Sequence, residues 1–408
     1  MPAILSNRPA RPAAVSLKPP RRKAKRLPGC DNGGMTFDDF YAIIPAGGTG
    51  TRLWPLSRAS RPKFLYDLLG SGRTMIQSTF DRLAAIAGAD HVTVSTGADH
   101  EAAVREQLPE LAADHVFAEP VPRDSTAAIA LAAAVLARRH GRDIVVGSFA
   151  ADHVIRDTEA FAESVRQAVA AARAGYVTTI GIAATRPSTA FGYIHQGASL
   201  RAEVPDAPDA RLVRRFVEKP DAATAMAYLS TGEYRWNAGM FVMRAGVLLD
   251  RLHEYKPALA EAIGRIADAW DEGPDARAAA MERDWEGLEK IAFDYAIAEP
   301  LSLDGGVAMV PGGFGWDDIG DFNSVAALLP SVNAKNVKIL GDADRVAYVD
   351  SAGDVVVPDS GRTVALLGVN DMVVVDTPDA LLIAPRARSQ EVKDMVAHLR
   401  ALGRGEVL

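Results

Sequence analysis

Between residues 46 and 56 the chain reads Ala46-Gly47-Gly48-Thr49-Gly50-Thr51-Arg52-Leu53-Trp54-Pro55-Leu56, and Pro62-Lys63 follows. Three glycines directly after an apolar run let backbone N–H groups approach phosphate oxygens with no side chain in the way. Arg52 adds a forked donor that suits phosphate, and Lys63 adds a mobile point charge. Two other glycine motifs fail on spacing. A dinucleotide-binding fingerprint begun at Gly48 needs glycine or alanine where Leu53 stands, and a P-loop needs a Gly-Lys-Ser/Thr triplet that is absent. A glycine cluster alone often marks only a turn. With the Arg and the Pro-Lys at this distance, it reads as a phosphate site.

Carboxylates recur at comparable places. Asp152 closes Phe149-Ala150-Ala151-Asp152, just past an apolar run. An oxygen donor there suits Mg²⁺, a hard cation, although an isolated Asp at such a point is more commonly a cap or turn residue. The acids in Trp316-Asp317-Asp318-Ile319-Gly320, read alone, form a solvated turn. Glu218-Lys219 before Pro220 is by itself an exposed charge pair, and Asn237 a turn residue. Arg123, Asp124 and Ser125 precede an Ala-rich stretch, where Asp124 or Ser125 fits a helix cap.

These residues need a frame, and the pattern supplies one. Apolar runs at 40–45, 91–96, 143–149 and 176–182 read as strands. Helical periodicity at 74–87, 125–140 and 158–173 separates them. This alternation predicts an α/β fold, a mixed and mostly parallel sheet with helices on both faces. Ligands of such sheets bind beyond the carboxyl ends of the strands, where the motifs fall. After about residue 330 the chain turns Val-rich with Gly and Asp punctuation. That predicts a small β-rich domain, with a short β-helix as one form of it, closed by a helix over 389–402. No repeat of fixed period is legible.

The pattern G-G-x-G-x-R-L followed by P-K resembles the signature of the sugar-phosphate nucleotidyltransferases. Arg52-Leu53-Trp54-Pro55-Leu56-Ser57-Arg58 is similar to the mannose-1-phosphate guanylyltransferase branch, and the resemblance runs from about residue 41 onward. It implies catalytic roles for Arg52 and Lys63. Ala46, Gly47, Gly48, Thr49, Gly50, Thr51, Arg123, Asp124 and Ser125 would line the nucleotide. It also implies a metal pair, Asp152 in an Ala-Asp-His element and Asp318 in Trp-x-Asp-x-Gly, with Mg²⁺ as cofactor. Gly192, Glu218, Lys219 and Asn237 would hold the sugar phosphate, and His153 beside Asp152 reads as structural or as a support behind the metal ligand. Departures occur in two places. Asp124-Ser125 replaces the usual Asn-Thr with Ala128 in place of proline, and Pro62-Lys63 runs straight into Phe64. Both weaken any assignment of base reading to Arg123, Asp124 or Ser125.

The resemblance implies transfer of GMP from GTP to α-D-mannose 1-phosphate. Two alternatives stay open: another nucleotide with another sugar, such as glucose 1-phosphate, or a non-catalytic regulatory homologue. The stretch after 330 is too short for an added isomerase barrel. The expected domains are a leader (1–37), a catalytic domain (38–330) and the β-rich domain (331–408). The leader carries eight Lys and Arg against Asp31 and is expected to be disordered, or to precede a start at Met35. It lacks the apolar run of an export signal.

A net charge of −7 gives no support to nucleic-acid binding, and a lone Cys30 excludes a disulfide framework or a Cys-rich zinc site. No stretch approaches the roughly 18 apolar residues that span a bilayer. A cytoplasmic enzyme with small-molecule substrates is expected, neither nucleic acid nor membrane being a partner. Oligomeric state stays open, a homodimer among the options.

Overall fold

The computed structural model describes residues 38–48 and 50–408. The leader and Thr49 therefore lie outside the described residues. Strand β1 (Phe40–Ala46) is buried along almost its whole length, as expected of a run with no polar face. It lies parallel to β2 (Val92–Gly97) and to β4 (Val145–Ser148), and β2 pairs in parallel with β3 (Val116–Glu119). Beyond a two-residue strand, β5 (Val154–Ile155), come β6 (Val177–Ala183), β7 (Tyr193–Ser199), β8 (Arg211–Val217), β9 (Tyr234–Arg244) and β10 (Val307–Gly312). The nine-stranded order is β3-β2-β1-β4-β9-β6-β10-β8-β7. The sheet is mixed, as expected. Parallel pairs dominate its first half, and β7, β8 and β9 pair only antiparallel in the second.

Alternate residues of β1 face opposite ways and meet different helices. Tyr41 and Ile43 join one core cluster with the helix Asp124–His140. Phe40 packs edge-on against Phe149, which in turn meets Phe161 of the helix Thr158–Arg173. Small side chains let Asp124–His140 sink deep, and every residue from Thr126 to Ala137 is buried. Thr74 and Gln77 form a capping box that starts the helix Met75–Ala87 one residue later than the pattern suggested.

A second sheet forms after the nine-stranded one. Strand β11 (Trp316–Asp317) pairs antiparallel with β5, Trp316 opposite Ile155 and Asp317 opposite Val154. Then β12 (Lys338–Ile339), β13 (Val346–Val349), β14 (Val355–Pro358), β15 (Val364–Leu367) and β16 (Met372–Asp376) coil in parallel register, and β17 (Leu381–Pro385) turns back antiparallel on β16. Lys338 faces Val355, Val355 faces Val373 and Val346 faces Val364, so the chain returns every 17 or 18 residues. The backbone therefore repeats although the sequence shows no fixed period. The coils share only inward apolar positions such as Val356, Leu366 and Val374, and their turns differ. The expected closing helix begins as a 3-10 turn, Arg386–Glu391, and becomes α-helical over Val392–Ala401. All described residues belong to one unit, Phe37–Leu408. No helix among them is long and apolar enough to cross a membrane.

Candidate active site

A cavity of about 340 Å³ opens beyond the carboxyl ends of β1, β2 and β3. Pro45, Ala46, Gly47 and Gly48 form one wall, Asp124, Ser125 and Ala128 another, and Ser95, Glu119 and Asp152 complete it. Gly47 has an ordinary backbone conformation, and a side chain there would meet open space, so packing does not demand glycine. The backbone there is open to the cavity. Gly50 differs. Its φ is 60°, and a Cβ would come within 2.9 Å of Ser57 Oγ and 3.1 Å of Lys63 Cβ, so the fold itself requires it.

The β5–β11 ribbon brings Asp152 and Asp318 together, each beside one of its strands. Lys63 Nζ joins them, 2.8 Å from Asp152 Oδ2, 2.8 Å from the Asp318 carbonyl and 3.3 Å from that of Ile319. Its three donors are thus committed to three oxygens, which makes it a fixed charge rather than a mobile one. Burial pushes the Asp152 carboxyl up, but Lys63 and His153 outweigh this and hold it below the usual aspartate range. At Asp318 burial prevails and raises the group, with Lys63 and His153 opposing and Asp317 and Asp152 assisting. Asp317 instead accepts the Ile319 N–H at 2.8 Å, within its own turn. Burial also holds the His153 imidazole below its normal range, packed edge-on against Trp316.

The donor set here is all oxygen. Among the described residues no cluster of three or more His, Cys, Asp or Glu is arranged for a metal. A hard divalent cation fits this carboxylate pair if phosphate oxygens or water complete its shell.

A second group of expected residues converges at the β7–β9 junction. Asn237 N–H donates to the Gly192 carbonyl at 2.8 Å. A side chain at Gly192 would collide with the Glu218 carboxylate and crowd Asn237 and Phe216. Lys219 Nζ lies 2.5 Å from Glu218 Oε1. The Asn237 amide is oriented by two partners, accepting from Thr179 Oγ1 at 2.7 Å and donating to Asp294 Oδ1 at 2.8 Å. Asp294 opens a five-residue π-helix, Asp294–Ala298, of a kind often found at functional sites. Burial, with Glu218 nearby, pushes its carboxyl up to about 7.

Comparison with known proteins fits this geometry. A family model described as nucleotidyl transferase matches residues 41–334. The chain belongs to the nucleotidyl transferase family. A second model, for a mannose phosphate isomerase/GMP-like β-helix domain, matches residues 344–399. The xanthan biosynthesis protein XanB of Xanthomonas campestris pv. campestris (strain B100) is 38% identical over 91% of this chain and 75% of its own length. The mannose-1-phosphate guanylyltransferase of Escherichia coli (strain K12) is 37% identical over 91% and 76%. Among solved structures, one described as a mannose-1-phosphate geranyltransferase from Thermus thermophilus superposes with a TM-score of 0.76. It is 31% identical and covers 89% of this chain and 99% of its own. A divalent metal goes with this family of sugar-phosphate transferases.

Within this nucleotidyl transferase, several expected site residues have protein partners of their own. Arg52 Nη1 donates to Gln390 Oε1 at 2.9 Å, and Thr51 stays in the turn, its carbonyl accepting from Trp54 N–H. Arg123 donates from Nε to the Trp285 carbonyl at 3.2 Å and from Nη2 to that of Glu286, bracing a helix end. Asp124 lines the cavity in a left-handed conformation with φ 66°, its Oδ1 accepting the Ser125 N–H at 2.8 Å. Ser125 Oγ accepts the Phe293 N–H at 2.9 Å, tying this wall to the π-helix.

Sequence reasoning missed Ser95, Glu119 and Asp294. Glu119 precedes Pro120, and a carboxylate before proline reads as surface. Burial pushes it up to about 7, while a 3.2 Å hydrogen bond from Ser95 Oγ works the other way. A larger cavity, about 520 Å³, lies near Lys256, Arg265 and Arg283, but these cations are paired with Glu289 and Asp284. It offers no convergent free groups.

Proposed function

We propose that this chain transfers GMP from GTP to α-D-mannose 1-phosphate, forming GDP-mannose and pyrophosphate. The meeting of Asp152, Asp318 and Lys63 beside the glycine-walled cavity carries the reading. A phosphate oxygen of the sugar attacks the α-phosphorus in line, the bond from that phosphorus to the bridging oxygen breaks, and pyrophosphate leaves. The attacking phosphate has a second pKa of about 6, so it is already ionised at neutral pH and needs no general base. Backbone N–H groups of Gly47 and Gly48 cradle the triphosphate, and Lys63 holds the aspartates in register. Arg52 offsets the charge that builds on the phosphates. Asp152 and Asp318 would hold Mg²⁺, which would supply positive charge to the phosphates and polarise the reacting group.

Guanine suits the far end of the cavity. Its N1–H and N2–H donors sit side by side, and a carboxylate such as Glu119 accepts both, whereas adenine offers one donor beside an acceptor. The names of the relatives support the same base. Gly192, Glu218, Lys219 and Asn237 receive the sugar phosphate. The transferase occupies 38–330 and the β-rich domain 331–408, in a cytoplasmic enzyme. Pyrophosphate release with Mg²⁺ and mannose 1-phosphate, comparing GTP with ATP, UTP and dTTP, tests the reading. Release with GTP alone is expected. Release only with another pair moves the enzyme to a sister activity, and no release with any sugar phosphate overturns catalysis.

A further inference from the structure

Three side chains of the segment Arg52–Arg58, those of Arg52, Trp54 and Arg58, reach the C-terminal domain. Trp54 Nε1 donates to the Val407 carbonyl at 2.7 Å, and Arg58 Nη1 donates to the same oxygen at 2.5 Å. Arg58 Nη2 also reaches Asp379 Oδ1 at 2.6 Å. Trp54 is 6% exposed, so this junction is buried rather than a surface touch. Arg52 extends from it into a slot between two elements. On one side is Gly320, where a Cβ would stand 3.3 Å from Arg52 Nη1 and 3.6 Å from Cζ and Nη2. On the other is Gln390, which accepts from Nη1 and donates its own amide N–H to Asp321 Oδ2. Asp321 in turn caps the helix Phe322–Leu328 by accepting from Ser324 N–H, three residues after Asp318.

Gln390 thus connects the phosphate-loop arginine to the carboxylate-bearing loop, and neither of those elements supplies it. A guanidinium on a flexible stem loses rotamer entropy when it engages phosphate, and that loss is smaller when its direction is already fixed. We propose that Gln390, contributed by the C-terminal domain, is a positioning residue that fixes Arg52 for the triphosphate. This rests on the reading of Arg52 as a phosphate-binding residue. The transferase site is on that basis completed by the second domain. The slot is narrow on the Gly320 side, where a Cβ would lie in close contact with the guanidinium.

The test is calorimetric binding of inorganic tripolyphosphate with Mg²⁺ to the full chain, which needs neither base nor sugar to be assigned correctly. Gln390→Met keeps the side-chain length and removes both hydrogen bonds. It is expected to weaken binding about tenfold, as losing pre-organisation of one charge-assisted contact would. In an Arg52→Lys background the same substitution is expected to change affinity less than about twofold. Arg386→Ala is the control. It breaks bonds from the same domain to Asn323 and Gly353 without touching Arg52, and should lower the melting temperature while leaving affinity intact. Equal losses in both backgrounds, an equal loss in the Arg386 control, or unchanged affinity in Gln390→Met would each overturn the proposal. Absence of GTP turnover alongside the expected binding pattern would instead sink the choice of substrates and leave Gln390 standing.

Discussion

Lys63 and Asp152 form a salt bridge of 2.8 Å whose side chains are only 14% and 20% exposed. Breaking such a pair by removing one partner leaves a charge without its counterion in a poorly hydrated place, at a cost below the roughly 3–5 kcal/mol of a fully buried pair. Lys63→Met is expected to lower the melting temperature. The variant should also respond more strongly to Mg²⁺, since the carboxylates have lost their internal cation. Asp152→Asn is expected to lower turnover by about a thousandfold or more, given typical losses for charge-stabilising groups. Differential scanning fluorimetry with and without Mg²⁺, together with pyrophosphate release, checks both. Near-normal turnover in Asp152→Asn would remove that residue from the reaction.

Glu119 offers a prediction with a definite sign. Burial raises its carboxyl to about 7 in the folded protein, against an ordinary glutamate in the unfolded chain. As pH rises past the unfolded value, the unfolded chain ionises first, so this group withdraws stability until pH passes about 7. Glu119→Gln should therefore melt higher than the parent above pH 7, and the two should converge below about pH 4. For catalysis the ionised form is the one that accepts two guanine N–H groups. The kcat/KM for GTP should thus climb through about pH 7 in the parent and stay flat in Glu119→Gln. The variant should lose at least about tenfold of its preference for GTP over ATP, a size typical of one buried hydrogen-bonding determinant. A preserved preference would assign the base to other residues.

The parts of this molecule legible in its sequence are those set by local pattern. The run 40–45 and the helix Thr158–Arg173 follow from apolar content and hydrophobic periodicity, whereas the packing reason for Gly50 emerges only in the structure. Asp318 rather than Asp317 was legible only through a motif. Its geometric reason is a two-residue ribbon too short to leave a pattern. The sequence points to Arg52 as a phosphate ligand but gives no sign of Gln390, 338 residues away in a polar, exposed turn. Nothing in either neighbourhood signals the other. Asp294 was invisible for a related reason, since the π-helix that aims it breaks the helical period on which such reading depends.

Asp294 holds the Nδ2 group of Asn237 at 2.8 Å while Thr179 holds Oδ1, so the amide cannot flip without losing both bonds. Asp294→Ala removes one of them and leaves Asn237 free to turn. The KM for mannose 1-phosphate is expected to rise about tenfold, with the KM for GTP changed less than about twofold. Initial-rate kinetics with each substrate varied in turn distinguishes the two. An equal rise in both would place Asp294 in general scaffolding.

Trp54 and Arg58 give the last prediction, and it separates packing from base recognition. Both belong to the stretch whose likeness to guanylyltransferases suggested the nucleotide, yet both donate to the Val407 carbonyl. Arg58 adds an ion pair with Asp379, which is half exposed and so contributes little by itself. Losing the buried hydrogen bond to Val407 should cost about 1–2 kcal/mol. At roughly 2–4 °C or less per kcal/mol for a chain this long, Arg58→Ala should melt a few degrees lower. Its ratio of kcat/KM for GTP over ATP should stay within about threefold of the parent, because neither residue lines the cavity that holds Glu119. Trp54→Phe, which keeps the apolar burial and drops the N–H donor, should behave the same way with a smaller loss of stability. Melting curves and competitive turnover with mixed nucleotides check both variants. A marked change of nucleotide preference with an unchanged melting temperature would show that this segment reads the base and that its docking on the C-terminal domain is incidental.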